Sequence, residues 1–353
     1  MSSNSQDKWL TTIQNKGSSQ DIAVDNQHYF SQKNLPAELI ARIQQAEQET
    51  LSAKNENTMR NYRLYWRQFT EWCQQFGVSF IPADPQIVLA YLQAQSEKIT
   101  DRGFHLSPST LHNMLAAINY AHDINQLPSP TKLKQIQEYL DTINRNRRRT
   151  TMDNQKRAIV DYYLEQLIAT TAEEIAPRRR ARDLAIILMG RQGAFRRSEL
   201  ADLTLNDLEF LPDRIIVTLR FSKASQDGRH KHSKELLKDE KYSCYQALLD
   251  WIEIAGLPKR GNIQLFQSIT RWDKLARPRA KQNKPVNFSG QEVYRIIKKR
   301  CQIAQLDAEL FGAHSLRSGL LTQWARDGKS IFAMKQRSGH RSVTSVDRYV
   351  QTA

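Results

Sequence analysis

Six side chains that can bind, protonate or attack a phosphate are spread along the second half of the chain. They are Arg196, Lys223, His314, Arg317, His340 and Tyr349. Four short stretches contain them: GAFRRSEL (193–200), LRFSKAS (219–225), GAHSLRSGLLT (312–322) and SGHRSVTSVDRYV (338–350). Arginine binds phosphate oxygens, lysine and histidine transfer protons, and tyrosine can form a phosphate ester. No acidic metal site accompanies these stretches, so the set predicts metal-free phosphoryl transfer to a tyrosine.

The first stretch pairs an arginine with a carboxylate. Arg196 and Glu199 are three residues apart, so a helix would bring them to one face. A carboxylate that holds the planar guanidinium fixes its orientation, and the group then suits two phosphate oxygens. Such a pair on its own is nearly always a surface ion pair, and Arg197 is a rival for the role. The spacing to the carboxylate favours Arg196 as the phosphate ligand, with Glu199 in support.

A predicted β-hairpin carries the lysine. Alternating apolar residues in 215–219 and the Asp-Gly pair at 227–228 predict two antiparallel strands joined by a turn. At the end of the first strand, Lys223 could reach a leaving oxygen, and neighbouring cations would lower its pKa and make it a better acid. Lysines at strand ends are usually solvated, and Lys231 and Lys234 on the second strand are further candidates.

Two histidines, the second arginine and the tyrosine follow. His314 and Arg317 lie three residues apart at the start of a predicted helix, whose positive end suits a phosphate. A bare H-x-x-R pattern is usually a coincidence. His340 follows Gly339, which is placed as the glycine that ends a helix, and Tyr349 comes nine residues later on another predicted helix. A tyrosine in such a helix is ordinarily a core or interface aromatic.

Taken in order, the four stretches resemble the tyrosine recombinases, also called phage-type integrases, over roughly the last 200 residues. GAFRRSE is similar to the family's Gly-x-x-Arg-x-x-Glu pattern, GAHSLRSGLLT to its second arginine motif, and the interval from Gly-His to Tyr to its nucleophile motif. Lys223 lies in Ser-Lys-Ala where the family usually has Thr-Lys-Thr. Ser338 replaces the leucine of Leu-Gly-His, a change that we expect to lie outside the chemistry.

The resemblance implies a role for each group. Arg196 and Arg317 would hold the nonbridging oxygens of a DNA phosphate, and His314 would hydrogen-bond the phosphate or accept the tyrosine proton. Lys223 would protonate the leaving 5′ oxygen while Tyr349 attacks, leaving a 3′-phosphotyrosyl bond. The predicted catalytic residues are Arg196, Lys223, His314, Arg317, His340 and the nucleophile Tyr349, with Glu199 as a supporting residue.

These roles imply a site-specific DNA recombinase or integrase that uses no metal, cofactor or ATP. Two alternatives remain: a type IB topoisomerase-like enzyme that relaxes DNA, and a non-catalytic DNA-binding protein with the same fold. The complete residue set argues against the second. The sequence leaves open the target DNA, the choice between integration, excision and chromosome or plasmid resolution, and the need for accessory DNA-bending proteins.

Helical periodicity dominates the rest of the chain. It predicts a mainly α protein with one small antiparallel β-sheet in its C-terminal part. The resemblance implies a two-lobed clamp, with a helical core-type DNA-binding domain at 35–147 and a helical catalytic domain at 148–353. Residues 1–34 are polar and lack periodicity, so we expect a flexible tail there. In the helix predicted over 57–77, an aromatic stripe is interpreted as core.

The charge of the chain fits a DNA partner. Its 52 Lys and Arg residues exceed its 37 Asp and Glu residues, which gives a net charge of +15. A basic balance favours binding to polyanions, although a solvated basic surface explains it equally well. A basic run lies where two helical blocks meet, and there we expect phosphate contacts. The predicted DNA-binding residues of this run are Arg145, Arg147, Arg148 and Arg149.

Compartment and assembly can also be predicted. Cys73, Cys244 and Cys301 are too widely spaced for a metal knuckle or a disulfide framework, and the sequence shows no signal peptide or membrane span. We expect a cytoplasmic, DNA-associated protein. Only residues 350–353 follow Tyr349, about one helical turn and too few for a helix exchanged between protomers. We therefore expect a free monomer and a homotetramer on paired sites, joined chiefly through 35–147.

Overall fold

The structure is a computed structural model that describes Glu38, Arg42 and residues 56–101, 103–150, 156–220, 232–276, 287–340 and 342–351. The side chains of residues 56, 148–150 and 232 fall outside this description, as does the predicted tail at 1–34. The chain divides into two compact units, Met1–Thr151 and Met152–Ala353.

The described part of the first unit is helical. Its helices are α1 (Glu56–Gln75), α2 (Pro85–Glu97), α3 (Pro108–Ile124) and α4 (Lys134–Thr150). Each of α2 and α3 begins at a proline that follows a capping side chain. The Asp84 carboxylate accepts from the Gln86 amide, and the Ser107 hydroxyl accepts from the Thr110 amide. The helix α3 thus begins at Pro108, directly after its Ser107 cap.

The predicted aromatic stripe of α1 supplies the core of this unit. Trp66, Phe69 and Cys73 are buried in one cluster with side chains of α2, α3 and α4. Phe76 lies just beyond the end of α1 and is 64% exposed, so the stripe stops at the helix end. The helix α4 continues to Thr150, so all four predicted DNA-binding arginines, residues 145 and 147–149, have helical backbone.

Helices surround a small sheet in the second unit. Its helices are α5 (Asp161–Ala172), α6 (Pro177–Gln192), α7 (Arg197–Asp202), α8 (Tyr245–Ala255), α9 (Gly290–Ile303), α10 (Ala313–Arg326), α11 (Ile331–Ser338) and α12 (Thr344–Gln351). The strands β1 (Leu208–Phe210), β2 (Arg214–Leu219) and β3 (His232–Leu237) form an antiparallel sheet in the order β1-β2-β3. The predicted fold class, mainly α with one small antiparallel sheet, is confirmed.

Alternation along β2 gives the sheet one buried face. Ile215, Val217 and Leu219 point into the core, where Ile215 pairs with Leu236 of β3 and Val217 pairs with Lys234. The predicted turn at 227–228 lies outside the described residues. The two strands β2 and β3 thereby attach the hairpin to the core.

Close packing fixes α10, which carries two of the predicted catalytic residues. Ile159 donates its amide to the Ser315 carbonyl at 2.8 Å, and its own carbonyl oxygen faces Gly319. A Cβ atom at Gly319 would lie 2.0 Å from that oxygen, so glycine is required for this approach. Within the described residues, none of the helices is both long enough and apolar enough to cross a membrane.

Candidate active site

A left-handed turn between α6 and α7 presents the first arginine. Ala194 adopts φ 47°, a conformation that costs a residue with a side chain about 1–2 kcal/mol. Arg196 then caps α7. The Glu199 carboxylate accepts from the Arg196 amide at 2.8 Å and from Arg196 Nη1 at 2.5 Å. The predicted ion pair is therefore present. It joins the residue that caps α7 to the third residue of that helix, rather than two residues on one helix face.

The second arginine is completely buried beneath this turn. Arg317 donates Nη1 to the Ala194 carbonyl at 2.7 Å and Nη2 to His340 Nε2 at 3.2 Å. Its Nε has no hydrogen-bond partner among the residues that the structure describes. Burial lowers the pKa of Arg317 to about 10, and the charge of Arg196 acts in the same direction. The guanidinium stays positive at neutral pH, with one buried donor that a phosphate oxygen could satisfy.

His340 is oriented from both ring nitrogens. Gly339 ends α11 at φ 67°, as predicted, and its carbonyl accepts from Arg196 Nη2 at 3.4 Å. His340 Nδ1 lies 2.7 Å from Ser338 Oγ, whose own hydroxyl donates to the Met334 carbonyl. Ser338 was expected to lie outside the chemistry, and its hydroxyl is in contact with the imidazole of the predicted catalytic His340. The spacing of residue types along the sequence could not reveal that contact, because the contact depends on the turn that Gly339 makes.

Tyr349 lies on α12 and is 2% exposed. Its ring packs in a small cluster with Leu321, Met334 and Val346. Its hydroxyl is 3.3 Å from His314 Nε2 and accepts from Arg348 Nη2 at 3.0 Å. His340 completes the surroundings, with 6.2 Å between the two ring centroids. The predicted nucleophile is thus in contact with one predicted catalytic histidine and beside the other.

Both histidines are uncharged at neutral pH. Desolvation lowers the pKa of His314 to about 4 and that of His340 to about 3, and the charge of Arg317 acts in the same direction on each ring. The side chain of His314 is exposed, so solvent screens part of this effect. A neutral imidazole can accept a proton, which suits the role implied for His314.

The lysine predicted from sequence, Lys223, lies outside the described residues, as does Lys231. The third candidate, Lys234 on β3, is 4% exposed and reaches the turn that precedes Arg196. Its Nζ donates to the Gly193 carbonyl at 2.6 Å and lies 3.4 Å from the Ala194 carbonyl. The structure therefore brings a lysine to the site, but one that binds the main chain from inside the core.

The predicted DNA-binding arginines fall into three groups. Arg145 is exposed on α4, and its Nη2 is 3.4 Å from the Thr142 hydroxyl. Arg147 is half-buried, and it donates Nη2 to the Ser96 carbonyl at 2.6 Å and Nη1 to the Leu106 carbonyl. Arg148 and Arg149 have backbone positions in α4, but their side chains lie outside the description. Arg147 thus ties α4 to neighbouring main chain within its own unit.

Sequence comparison decides the family. The phage integrase family model matches residues 161–353, which span every predicted catalytic residue. A curated relative described as an integrase/recombinase xerD homolog, from Selenomonas ruminantium, is 30% identical over 322 residues, which cover 88% of this chain and 88% of the relative. The chain belongs to the phage integrase family. It is a tyrosine recombinase, and its predicted membership of that family is confirmed.

Solved structures of tyrosine recombinases share the fold. A XerH site-specific recombinase bound to its palindromic difH substrate matches at TM-score 0.56 and 17% identity, over 83% of this chain and 75% of that one. The Tn1549 transposon integrase in complex with transposon right end DNA matches at 0.52 and 17%, over 84% and 89%. A lambda integrase dimer bound to a COC′ core site matches at 0.51 and 15%, over 90% and 82%.

Proposed function

We propose that this recombinase cuts and rejoins double-stranded DNA at specific sites through a 3′-phosphotyrosyl intermediate, without metal or ATP. The observation that carries the proposal is the 3.3 Å contact between Tyr349 Oη and His314 Nε2, beside the Arg317–His340 pair. A hydroxyl in contact with a neutral base and next to fixed arginines matches the arrangement that an activated nucleophile needs.

The first chemical step forms one bond and breaks another. Tyr349 Oη attacks the phosphorus of the scissile phosphate, and its proton passes to His314 Nε2. The bond from phosphorus to the 5′ oxygen breaks, and that oxygen takes a proton from Lys223. The negative charge of the bound phosphate raises the pKa of His314 towards the value that a general base requires.

Two arginines stabilise the charge that develops on the phosphate. Arg317, whose buried Nε has no partner among the described residues, and Arg196, fixed by Glu199, bind the nonbridging oxygens. Because their positions are set before DNA arrives, little reorganisation is needed in the transition state. They supply the positive charge that a metal ion supplies in other phosphoryl-transfer enzymes.

Strand exchange reverses the same chemistry. The 5′ hydroxyl of a second strand attacks the phosphotyrosyl phosphorus, and Tyr349 leaves as its oxygen regains a proton. A tyrosyl oxygen is a good leaving group, with a pKa of about 10, so the bond energy of the cut strand is conserved. Two duplexes require four cleavages, so we propose that four protomers assemble on two sites. Light scattering with and without paired sites measures this, and a stable tetramer without DNA contradicts it.

The DNA partner has independent support. A net charge of +15 gives long-range attraction to the phosphate backbone, and the three recombinase structures of similar fold each contain DNA. The target sequence is the property that most needs measurement, and selection from a random duplex library would identify it.

A nicked suicide duplex tests the function directly. Cleavage beside the nick releases a short strand, so religation fails and the protein stays attached to DNA. We expect a covalent adduct that maps to Tyr349 by peptide mass spectrometry, and no adduct with Tyr349→Phe, which should still bind DNA. An adduct at Tyr245 or Tyr294 instead would refute the assignment. Supercoil relaxation with no exchange between two copies of the target would identify a topoisomerase.

A further inference from the structure

A buried lysine lies behind the catalytic arginines. Lys234 is in the middle of β3 on the face of the sheet that enters the core, next to the buried Leu236. Its Nζ donates to the Gly193 carbonyl at 2.6 Å and lies 4.4 Å from the centre of the Phe195 ring. The contacts of its amine are thus with residues 193–195, the turn that connects α6 to the catalytic Arg196.

Placing a lysine here is costly. Burial, together with the charges of Arg317, Arg196 and Arg337, lowers the pKa of Lys234 to about 7, although Glu199 acts in the opposite direction. An apolar side chain would fill the same face of β3 without that penalty, as Leu236 does two residues later. An amine in this position, donating to main-chain carbonyls, therefore calls for a role that an apolar residue could not fill.

Two cations share one carbonyl oxygen. Arg317 Nη1 is 2.7 Å from the Ala194 carbonyl, and Lys234 Nζ is 3.4 Å from the same atom. Ala194 is also the residue with a left-handed backbone, at φ 47°. A conformation that is unfavourable for alanine needs support from its surroundings, and these two donors provide it. The turn, Lys234 and Arg317 thus form one connected unit.

We propose that Lys234 is a positioning residue for the phosphate-binding arginines, which it fixes by holding the main-chain carbonyls of Gly193 and Ala194. The inference rests on the function proposed above. Movement of this turn would displace Arg196, two residues later, and would release Arg317 from the Ala194 carbonyl. Lys234 also acts electrostatically on Glu199, whose pKa is lowered despite burial by the charges of Lys234 and Arg196. The ion pair of Glu199 itself is with Arg196, at 2.5 Å.

This role differs from that of the leaving-group acid. Lys234 Nζ is directed at carbonyl oxygens and an aromatic ring, and its side chain is buried, so it supports the arginines from behind. A leaving-group acid would instead have to reach the 5′ oxygen of DNA. Replacement of that oxygen by sulfur distinguishes the two roles, because a thiolate leaves without a proton.

The test compares variants of the full chain on the nicked suicide duplex, under single turnover and with protein in excess. Lys234→Met should slow cleavage about 100-fold, the effect expected when catalytic groups are displaced by about 1 Å. DNA affinity should remain within about 2-fold, because the basic surface is unchanged. Lys234→Arg, which keeps charge and donors, should recover most of the rate. The matched control is Lys238→Met, a lysine one residue past β3 that lies over the Tyr245 ring at 5.0 Å.

Several outcomes would overturn the inference. Cleavage by Lys234→Met at the rate of Lys238→Met removes the positioning role, and so does rescue of the variant by a 5′-sulfur substrate. If Lys234→Met does not fold, Lys234→Gln is decisive. It keeps a donor but loses the charge, so we expect roughly 10-fold slower cleavage at an unchanged melting temperature. Wild-type cleavage by that variant refutes the inference, whereas failure of the wild type to form any adduct refutes the proposed function instead.

Discussion

Arg317 and His340 are joined by a hydrogen bond that fixes the protonation of both. Arg317 Nη2 lies 3.2 Å from His340 Nε2. A guanidinium can only donate, so His340 Nε2 must carry no proton, and the ring hydrogen resides on Nδ1. That hydrogen points to Ser338 Oγ at 2.7 Å. In the DNA-free state His340 therefore accepts a hydrogen bond from Arg317 and so orients the guanidinium.

Removal of the Ser338 hydroxyl should allow the neutral His340 ring to adopt either tautomer. With Ser338→Ala we expect a mixture of tautomers in the imidazole nitrogen NMR spectrum and cleavage about 10-fold slower, because one net hydrogen bond is worth about 1 kcal/mol or slightly more. Ser342→Ala, which removes an exposed hydroxyl that caps α12, is the control. A single unchanged tautomer in Ser338→Ala would contradict this account.

The choice between two adjacent arginines can be tested directly. Arg196→Ala should lower the cleavage rate by about 100-fold to 1,000-fold, because it removes a preorganised charge from the transition state. Arg197→Ala should have little effect, since Arg197 is exposed and Glu199 pairs with Arg196 instead. Single-turnover cleavage of the suicide duplex is the measurement. The reverse ranking of the two variants would transfer the catalytic role to Arg197.

The assignment of Lys223 is a chemical prediction about a residue outside the described structure. Lys223→Ala should slow cleavage because the leaving 5′ oxygen loses its acid, and a substrate with sulfur at that position should restore the rate. Lys231→Ala serves as the comparison within the same hairpin. A defect that sulfur rescues in Lys231→Ala, and not in Lys223→Ala, would move the acid to Lys231.

Stability should depend on pH through His340. Burial and nearby arginines lower its pKa from 6.5 to about 3 in the folded state, so the unfolded chain takes up the proton first as the pH falls. The contribution of His340 to the free energy of unfolding is present above pH 6.5 and is lost as the pH falls towards 3. In urea unfolding at several pH values, the free energy of unfolding of His340→Gln should fall less steeply with decreasing pH, by up to about 1.4 kcal/mol per pH unit. An identical decline in the variant would contradict the shift.

Two neighbouring arginines of α4 should behave differently. Arg145→Ala should reduce the slope of log affinity against log salt by about 0.9 if the exposed guanidinium contacts one phosphate. Arg147→Ala should lower the melting temperature and leave that slope unchanged, because its donors are bound to the Ser96 and Leu106 carbonyls. Binding titrations at several salt concentrations with thermal melts measure both. An unchanged slope for Arg145→Ala would mean that this side chain is only solvated.

Local patterns in the sequence determined the elements and the candidate chemistry. Helical periodicity identified α1, the motif positions indicated α10 to α12, and strand alternation identified β2, because burial of one face imposes a spacing of 3.6 or 2 residues. The spacing of motifs likewise selected Arg196, His314, Arg317, His340 and Tyr349 before any contact was known. Such information is available from a single stretch of chain, since each pattern involves residues within a few turns of one another.

Contacts between distant segments were decided by the tertiary structure alone. The hydrogen bond from Arg317 to Ala194 joins residues 123 apart, and the bond from Lys234 to Gly193 spans 41. Arg147 appeared to be one of several equivalent surface charges until its carbonyl partners were seen. Burial and hydrogen-bond partners depend on which segments the core brings together, so a residue's type and spacing suggest what it can do, while packing decides what it touches.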